Sequence, residues 1–435
     1  MTCAKASNTS AATRRCCGCE DTPRYGLLGR TLGHTYSPRI YELLAGITGY
    51  ERFEREPGEV EQFLREDTWQ GLNVTIPYKR TVMPYLDELS ESARRLGNAN
   101  TIVRLSDGRL RGDNTDYFGF KTLVQSLRLE LVGKRALVFG GHGGAGTTCM
   151  AVLADLGMEP IAVGRTGEVT YEDLPRFADA ALAVNATPAG MYPSCPGAPC
   201  TLDALPHLEA VVDIVYNPAR TGLMLEAEHR GIPVAGGLLM LVAQAAGSLH
   251  DFTGEDYSAE RIAAVTNELG YEMQNIALIG MPGAGKTRVG QRIAQRLGRE
   301  HIDLDWALEE RLGCSCSTFI TERGEAAFRR EETALLGEVA KRGGIVLSCG
   351  GGVVTRAENY PLLHQNSRIV MLDRPLGELS SKGRPVSQRD GVQKLAEERM
   401  PRYRSWADVV VTSRESADAT ARAAIAQLVR ESQQV

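Results

Sequence analysis

The chain has 435 residues, which at about 150 residues per domain implies two or three domains, each long enough to bury a core. A formal net charge of -5, with Lys and Arg spread evenly and no basic block, argues against a nucleic-acid partner and for small anionic or neutral ligands. The most apolar run, GLLMLVAQAAG from Gly237, is shorter than the roughly 18 residues that span a bilayer, so no membrane-crossing helix is expected.

Residues 1–22 lack the apolar core of a secretory signal and read as a disordered leader of a cytoplasmic protein, with an organellar address the lesser alternative. Four of the ten cysteines, Cys3, Cys16, Cys17 and Cys19, crowd this leader. Cys16-x-x-Cys19 has the spacing of half a zinc site, but no second pair follows at a matching distance. The other six show no framework spacing and suit reduced thiols, and the scattered histidines offer no catalytic metal cage.

From Tyr25 the runs YGLLG, SPRIYELLAGITG, GLNVTI and YLDELSESARRLG alternate as strand, helix, strand, helix, the pattern of an α/β sheet. In NVTIPYK a strand presents Asn73 and Thr75 on one face, Pro77 breaks it, and Lys79 follows at the mouth. In GDNTD small residues turn the chain and expose Asp116. A ketone reduced by hydride needs a proton on its oxygen, which a lysine oriented by a carboxylate can supply. Taken singly, Lys79 and Asp116 also fit a solvated surface.

Between residues 130 and 236, RALVFGG, EPIAVGR, AALAVNA and AVVDIVY read as four strands of a doubly wound parallel sheet. After the first, Gly141, Gly143 and Gly146 have the G-x-G-x-x-G spacing that lets a helix N-terminus approach a pyrophosphate. At the end of the next strand, about 20 residues on, an acid would hold the ribose of NAD. Arg165 stands there instead, and a guanidinium matches a 2′-phosphate, so NADP is the expected cofactor.

In chain order GHTYSP, GLNVTIPYK, GNANT, GDNTD, GHGGA, GRT, NATPAGM, DIVYNP and GGLLMLVAQA resemble shikimate dehydrogenase over residues 23 to 272. The resemblance implies a substrate-binding domain from 23–120 plus 237–272 and a Rossmann-like NADP domain from 121–236. It implies that Lys79 and Asp116 are the catalytic pair and that Thr35, Ser37, Thr75, Asn100, Tyr216 and Gln244 contact shikimate. It places Gly141, Gly143, Gly144, Ala145, Arg165, Thr166, Ile214 and Gly237 at the cofactor. The chain departs from the family at Thr35, which keeps the hydroxyl of the usual serine, at His142 and Gly164, and in a short stretch before NATPAGM.

A helix, SAERIAAVTNELGYEM, then leads at once into the strand NIALIG, so a boundary is expected at Tyr271 to Asn275 with almost no linker. GMPGAGKT at 280–287 fits G-x-x-x-x-G-K-[ST] between that strand and the helix RVGQRIAQRLG. Its backbone N–H groups would cradle phosphates, Lys286 neutralise developing charge and the Thr287 hydroxyl bind magnesium. In HIDLDWALEERLG, Asp303 and Asp305 fall on one face of a short strand. Arg329, the SCGGG turn, Arg384 and Arg399 complete surroundings suited to a polar, acidic acceptor.

In that order residues 275 to about 412 resemble shikimate kinase, a P-loop domain with a parallel sheet taken to span 275–435. The resemblance assigns Asp305 to the acceptor hydroxyl as base, Asp303 with Thr287 to Mg2+, and Arg329, Gly351 and Arg399 to shikimate. Gly283, Ala284, Gly285, Lys286, Thr287, Arg288 and the lid residue Arg384 would hold ATP. The whole chain is thus expected to be an α/β enzyme that reduces 3-dehydroshikimate with NADPH and then phosphorylates shikimate with ATP. Two rivals are a quinate dehydrogenase using NAD, which Arg165 opposes, and a motor-like ATPase with RIVMLD as its magnesium strand.

Overall fold

The computed structural model describes residues 24–33, 35–379, 386 and 391–432, so the leader cysteines and Arg384 lie outside the described residues. Three sheets organise the rest. The first has the order β2-β1-β3-β5-β6-β4, formed by Glu51–Glu54 (β2), Tyr25–Gly29 (β1), Gly71–Val74 (β3), Thr101–Arg104 (β5), Leu110–Asp113 (β6) and Glu88–Leu89 (β4). β1 runs parallel to β2 and β3, whereas β5 is antiparallel to β3 and β6. Successive residues of β1 face opposite ways, Tyr25 and Leu27 into one core and Leu28 into another, as a strand's two-residue period requires.

The second sheet is parallel throughout, in the order β11-β10-β9-β7-β8. Its strands are Val234–Gly236 (β11), Ala210–Asp213 (β10), Leu182–Asn185 (β9), Arg135–Phe139 (β7) and Glu159–Val163 (β8). Ala136 and Val138 of β7 pack into one core and Leu137 and Phe139 into a second, so both faces are covered, as near-continuous apolar strands predict. The chain leaves β7 for β8 on one side and then returns to β9 on the other. The carboxyl end of β7 is therefore the switch point where open α/β sheets bind ligands.

The helices Asp116–Ser126 and Gly237–Thr253 cross where the chain passes between these two lobes. Gly119 permits the crossing, because a Cβ there would lie 2.7 Å from the Met240 carbonyl oxygen. The helix Ala259–Met273 then packs Ile262, Val265 and Leu269 into the first lobe. Only Gln274 separates it from Asn275–Ile279 (β12), which is buried at every position.

β12 is the centre of the third sheet, order β13-β14-β12-β15-β16, with His301–Asp303 (β13), Val346–Ser348 (β14), Ser367–Asp373 (β15) and Val409–Thr412 (β16). All its pairings are parallel. Two sequence expectations need correction. YLDELSESARRLG is not one helix: Glu88–Leu89 pairs with β6, and Ser90 accepts from Ala93 N to start a separate helix, Glu91–Leu96. Asp303 and Asp305 do not share a strand face: Asp303 ends β13 and caps the helix Leu304–Leu312, whose first turn contains Asp305. A cap residue's oxygen takes the orphan N–H groups of the first turn, and this outweighed the strand pattern.

Candidate active sites

The first site is a cavity of about 240 Å³ where the two N-terminal lobes meet. Thr35, Ser37, Thr75, Lys79, Asn100, Asp116 and Gln244 line it together with Ile214, Tyr216 and Gly237. Lys79 Nζ donates to Asp116 Oδ2 at 2.5 Å. Asn100 Nδ2 donates to Asp116 Oδ1 at 3.0 Å, so each carboxylate oxygen is fixed by a different neighbour. Asp116 begins the helix Asp116–Ser126, where the helix dipole also favours its negative charge.

The turn in GDNTD does not leave Asp116 exposed as its small residues suggest: its side chain is only 17% exposed, and that of Lys79 29%. Asn73 lines the cavity beside Thr75, as one strand face requires, but its polar atoms are already committed. Its Oδ1 accepts from Tyr41 and Tyr50 (2.5 and 2.7 Å) and its amide donates to Ser248 (2.8 Å), so its polar atoms are taken up inside the lobe. Gly237 must lack a side chain, since a Cβ would come within 2.1 Å of the Ile214 carbonyl oxygen. Leu27, Met240 and Leu241 supply an apolar wall that no polar motif announced.

Above β7 the glycine loop turns into the helix Gly144–Asp155, with Gly143 extended at its N-cap and Ala145 in its first turn. Gly146 lies so close to the strand that a Cβ would sit 2.1 Å from the Gly140 oxygen, which explains the third glycine of the motif. Arg165 and Thr166 follow β8 and are exposed; Arg165 has no ion-pair partner among the described residues. The N–H groups of Gly141 and Gly143 close the loop on the Val138 and Gly140 oxygens at 3.1 and 2.9 Å, whereas the first-turn N–H groups at Gly144 and Ala145, with the uncommitted Arg165 guanidinium, fit a phosphorylated dinucleotide. Beneath, buried Asn185 donates to both oxygens of Asp213, and burial pushes the Asp213 carboxyl up to about 6 despite its donors.

The second site is a larger cavity of about 770 Å³ at the carboxyl end of β12. Gly283, Gly285, Lys286, Thr287 and Arg288 line it, and Ala284 is buried beneath. Gly283 and Gly285 have φ of 89° and 94°, the left-handed region that glycine enters without penalty. Lys286 Nζ donates to the carbonyls of Gly280 (2.9 Å) and Met281 (3.2 Å), which hold it curled under the loop. The Thr287 hydroxyl donates to Asp303 Oδ2 at 2.6 Å, so two hard oxygen donors meet at the loop's end.

Asp303, Asp305, Arg329, Gly351 and Arg399 line the same cavity. Burial, with the charges of Glu332 and Asp303, pushes the Asp305 carboxyl up to about 6 against the opposing pull of Lys286 and Arg329. Arg329 donates to Glu332 at 2.7 Å and to Glu325 at 3.3 Å. Burial opposes its charge, and these carboxylates outweigh burial, so its pKa is raised. Arg399 donates to the Gly351 oxygen at 3.1 Å, and Tyr403 donates to the same atom.

The flat glycine turn has a steric cause at each position. A Cβ on Gly350 would meet Glu332 and Asp305 oxygens at 2.6 and 2.7 Å, on Gly351 Pro282 at 2.6 Å, and on Gly352 the Arg329 guanidinium at 2.0 Å. The cavity also contains Trp306, Glu309, Cys316, Ile320, Phe328 and Arg374, none singled out by sequence. Trp306 follows Asp305 in the helix and is 55% exposed at the rim. Burial and the Asp305 charge push the Cys316 thiol up to about 12. Among the described residues no cluster of His, Cys, Asp and Glu could hold a metal alone, and no helix is long and apolar enough to cross a membrane.

Comparison with known proteins agrees with this division. Residues 27–102 match the family model of the shikimate dehydrogenase substrate binding domain, and residues 282–431 that of shikimate kinase. A shikimate dehydrogenase (NADP(+)) of Clostridium beijerinckii is 35% identical over 241 residues, covering 51% of this chain and 88% of the relative. A chorismate mutase/shikimate 5-dehydrogenase fusion protein from Clostridium acetobutylicum matches with TM-score 0.54 and 32% identity over 57% of this chain and 97% of its own. The shikimate 5-dehydrogenase of Thermus thermophilus, in complex with NADP(H) and shikimate, matches with TM-score 0.52 and 29% identity over 57% and 99%. Two cavities built on unrelated sheets, each matched by its own family, make one conclusion: the chain belongs to the shikimate dehydrogenase family through its N-terminal half and carries a shikimate kinase domain behind it.

Proposed function

We propose that the protein is a bifunctional enzyme that reduces 3-dehydroshikimate to shikimate with NADPH and then phosphorylates the 3-hydroxyl of shikimate with ATP. The carrying observation is that one chain holds both a lysine and carboxylate pair in a small cavity and a phosphate loop that shares a second cavity with the Asp305 carboxylate and two arginines, Arg329 and Arg399. The working units are residues 23–120 with 237–272 for the first substrate, 121–236 for the cofactor and 275–435 for the kinase.

In the first reaction the ketone carbon gains hydride and its oxygen gains a proton. Bound NADPH supplies the hydride; the chain supplies the rest. Lys79 donates the proton, and Asp116, held by Asn100, keeps the ammonium aimed. Thr35, Ser37, Thr75, Tyr216 and Gln244 offer hydroxyl and amide groups to a polyhydroxylated carboxylate. Gly144 and Ala145 present backbone N–H groups to the pyrophosphate, Gly141 and Gly143 turn the loop so that the backbone can approach it, and Arg165 with Thr166 takes the 2′-phosphate.

In the second reaction the acceptor hydroxyl loses a proton as its oxygen bonds to the terminal phosphorus of ATP, and ADP leaves. Asp305 takes the proton, which requires its ionised form. Arg329 and Arg399 hold the acceptor's carboxylate, while Lys286 and the N–H groups of 283–287 take the growing charge on the phosphates. Thr287 and Asp303 fit magnesium, whose role when bound is to neutralise phosphate charge.

Purified protein given 3-dehydroshikimate, NADPH and ATP with magnesium should oxidise NADPH and form ADP, with ADP appearing only after reduction has begun. If no NADPH is oxidised and added shikimate elicits no ADP, the chain is a nucleotide-binding protein instead. Quinate with NAD should be a far poorer substrate pair than shikimate with NADP when the first reaction is run in reverse, since Arg165 rewards the 2′-phosphate.

A further inference from the structure

The loop that brings Ile214 and Tyr216 to the dehydrogenase cavity does not end in solvent. Beyond Tyr216, Ala219 N donates to Asn366 Oδ1 at 3.4 Å and Arg220 N to the Gln365 carbonyl oxygen at 2.9 Å. Arg220 Nη2 donates to the Ser367 oxygen at 2.9 Å. All three acceptors belong to the kinase block, at the entry to β15. Asn366 in turn offers its carbonyl oxygen to the N–H of Asn275 at 2.8 Å, the first residue of the strand that feeds the phosphate loop. Arg220 is only 19% exposed, with Glu228 of its own lobe 3.8 Å away. Lys341 of the kinase block adds a tie to the Pro193 oxygen of the same lobe at 2.8 Å.

The same block also grips the other lobe. Arg299 donates to the oxygens of Gln274 (2.9 Å) and Tyr271 (2.5 Å), and Gly344 N donates to the Met273 oxygen at 2.9 Å. The kinase block is thus bonded to both lobes that face each other across the first cavity. A connecting loop is ordinarily among the more mobile parts of a fold, and fixing it before substrate arrives removes an entropic cost from binding.

We propose that Arg220 is a positioning residue for the dehydrogenase reaction: by docking the 214–221 loop on the kinase block it fixes Tyr216 at the substrate cavity, so the kinase block completes the dehydrogenase site. The proposal rests on the dehydrogenase reading above. Arg220 itself touches no substrate and acts through Tyr216.

The test uses the full chain as wild type, Arg220→Ala and Arg220→Lys, well below the melting temperature of each. Arg220→Ala should raise KM for 3-dehydroshikimate about tenfold, equivalent to about 1.4 kcal/mol of lost binding, with kcat changed less than about twofold. Kinase kinetics on added shikimate should not change, Arg220→Lys should recover part of the loss, and amide hydrogen exchange of 214–221 should quicken in Arg220→Ala. An unchanged KM, unchanged exchange, or parallel loss of both activities would overturn the proposal. A wild type that oxidises no NADPH would instead remove the dehydrogenase reading, and this proposal with it.

Discussion

In the proposed mechanism Lys79 gives a proton and Asp305 takes one, and their surroundings set how each role can be tested. Because Lys79 serves only the first cavity, Lys79→Ala should lower NADPH oxidation by about 10²- to 10⁴-fold while phosphorylation of added shikimate is retained, measured on one preparation. Lys286→Ala should do the reverse. Asp305 has a folded pKa raised to about 6, so its basic form is present above that value and is lost below it. Kinase kcat/KM should therefore fall about tenfold per unit as pH drops below about 6, and Asp305→Asn should abolish that dependence together with most of the activity. A profile flat down to about pH 5 would rule out Asp305 as the base.

The glycine-rich elements were legible because their function is backbone geometry: the G-x-G-x-x-G and G-x-x-x-x-G-K-T spacings fall where β7 and β12 end, and short-range chemistry alone fixes them. What escaped the sequence was contact between distant segments. Glu332 could have been noticed three residues after Arg329, on the same helix face, but nothing in the order of residues says that Trp306, Ile320 and Phe328 share a cavity. The one-face expectation for Asp303 and Asp305 failed because a helix cap competes with a strand of three residues. Gly352→Ala tests the SCGGG turn directly: a Cβ 2.0 Å from the Arg329 guanidinium must displace it, so KM for shikimate in the kinase reaction should rise at least about tenfold. On the helix Gly237–Thr253, burial and the Asp113 charge push the Asp251 carboxyl from 3.8 up to about 7. The folded chain then binds a proton that the unfolded chain releases, so stability declines as pH rises from about 4 to about 7. Asp251→Asn should remove that decline, stabilising the protein by about 1–3 kcal/mol at pH of about 8 and little at about 4, read by denaturant titration.

Across the whole molecule, three sheets carry two chemistries, and their spacing follows from how the chain passes between them. Helix Ala259–Met273 belongs to the core of the first lobe, and after Gln274 alone the chain becomes the central strand of the third sheet. Neither end of that junction can come apart without pulling on the other, so calorimetry should record one endotherm for the two halves; two well-separated endotherms would show that they melt independently. A ligand that binds only the native state raises stability by RT ln(1 + [L]/Kd), wherever in a cooperative unit it binds. None of the residues proposed to hold NADPH lines the kinase cavity, yet at 100 times its Kd NADPH should add about 2.7 kcal/mol to the unit that contains it. Kept in a warm cell extract, the phosphorylating activity should consequently outlive its unliganded counterpart, with the reductant for one reaction serving as a heat shield for the other.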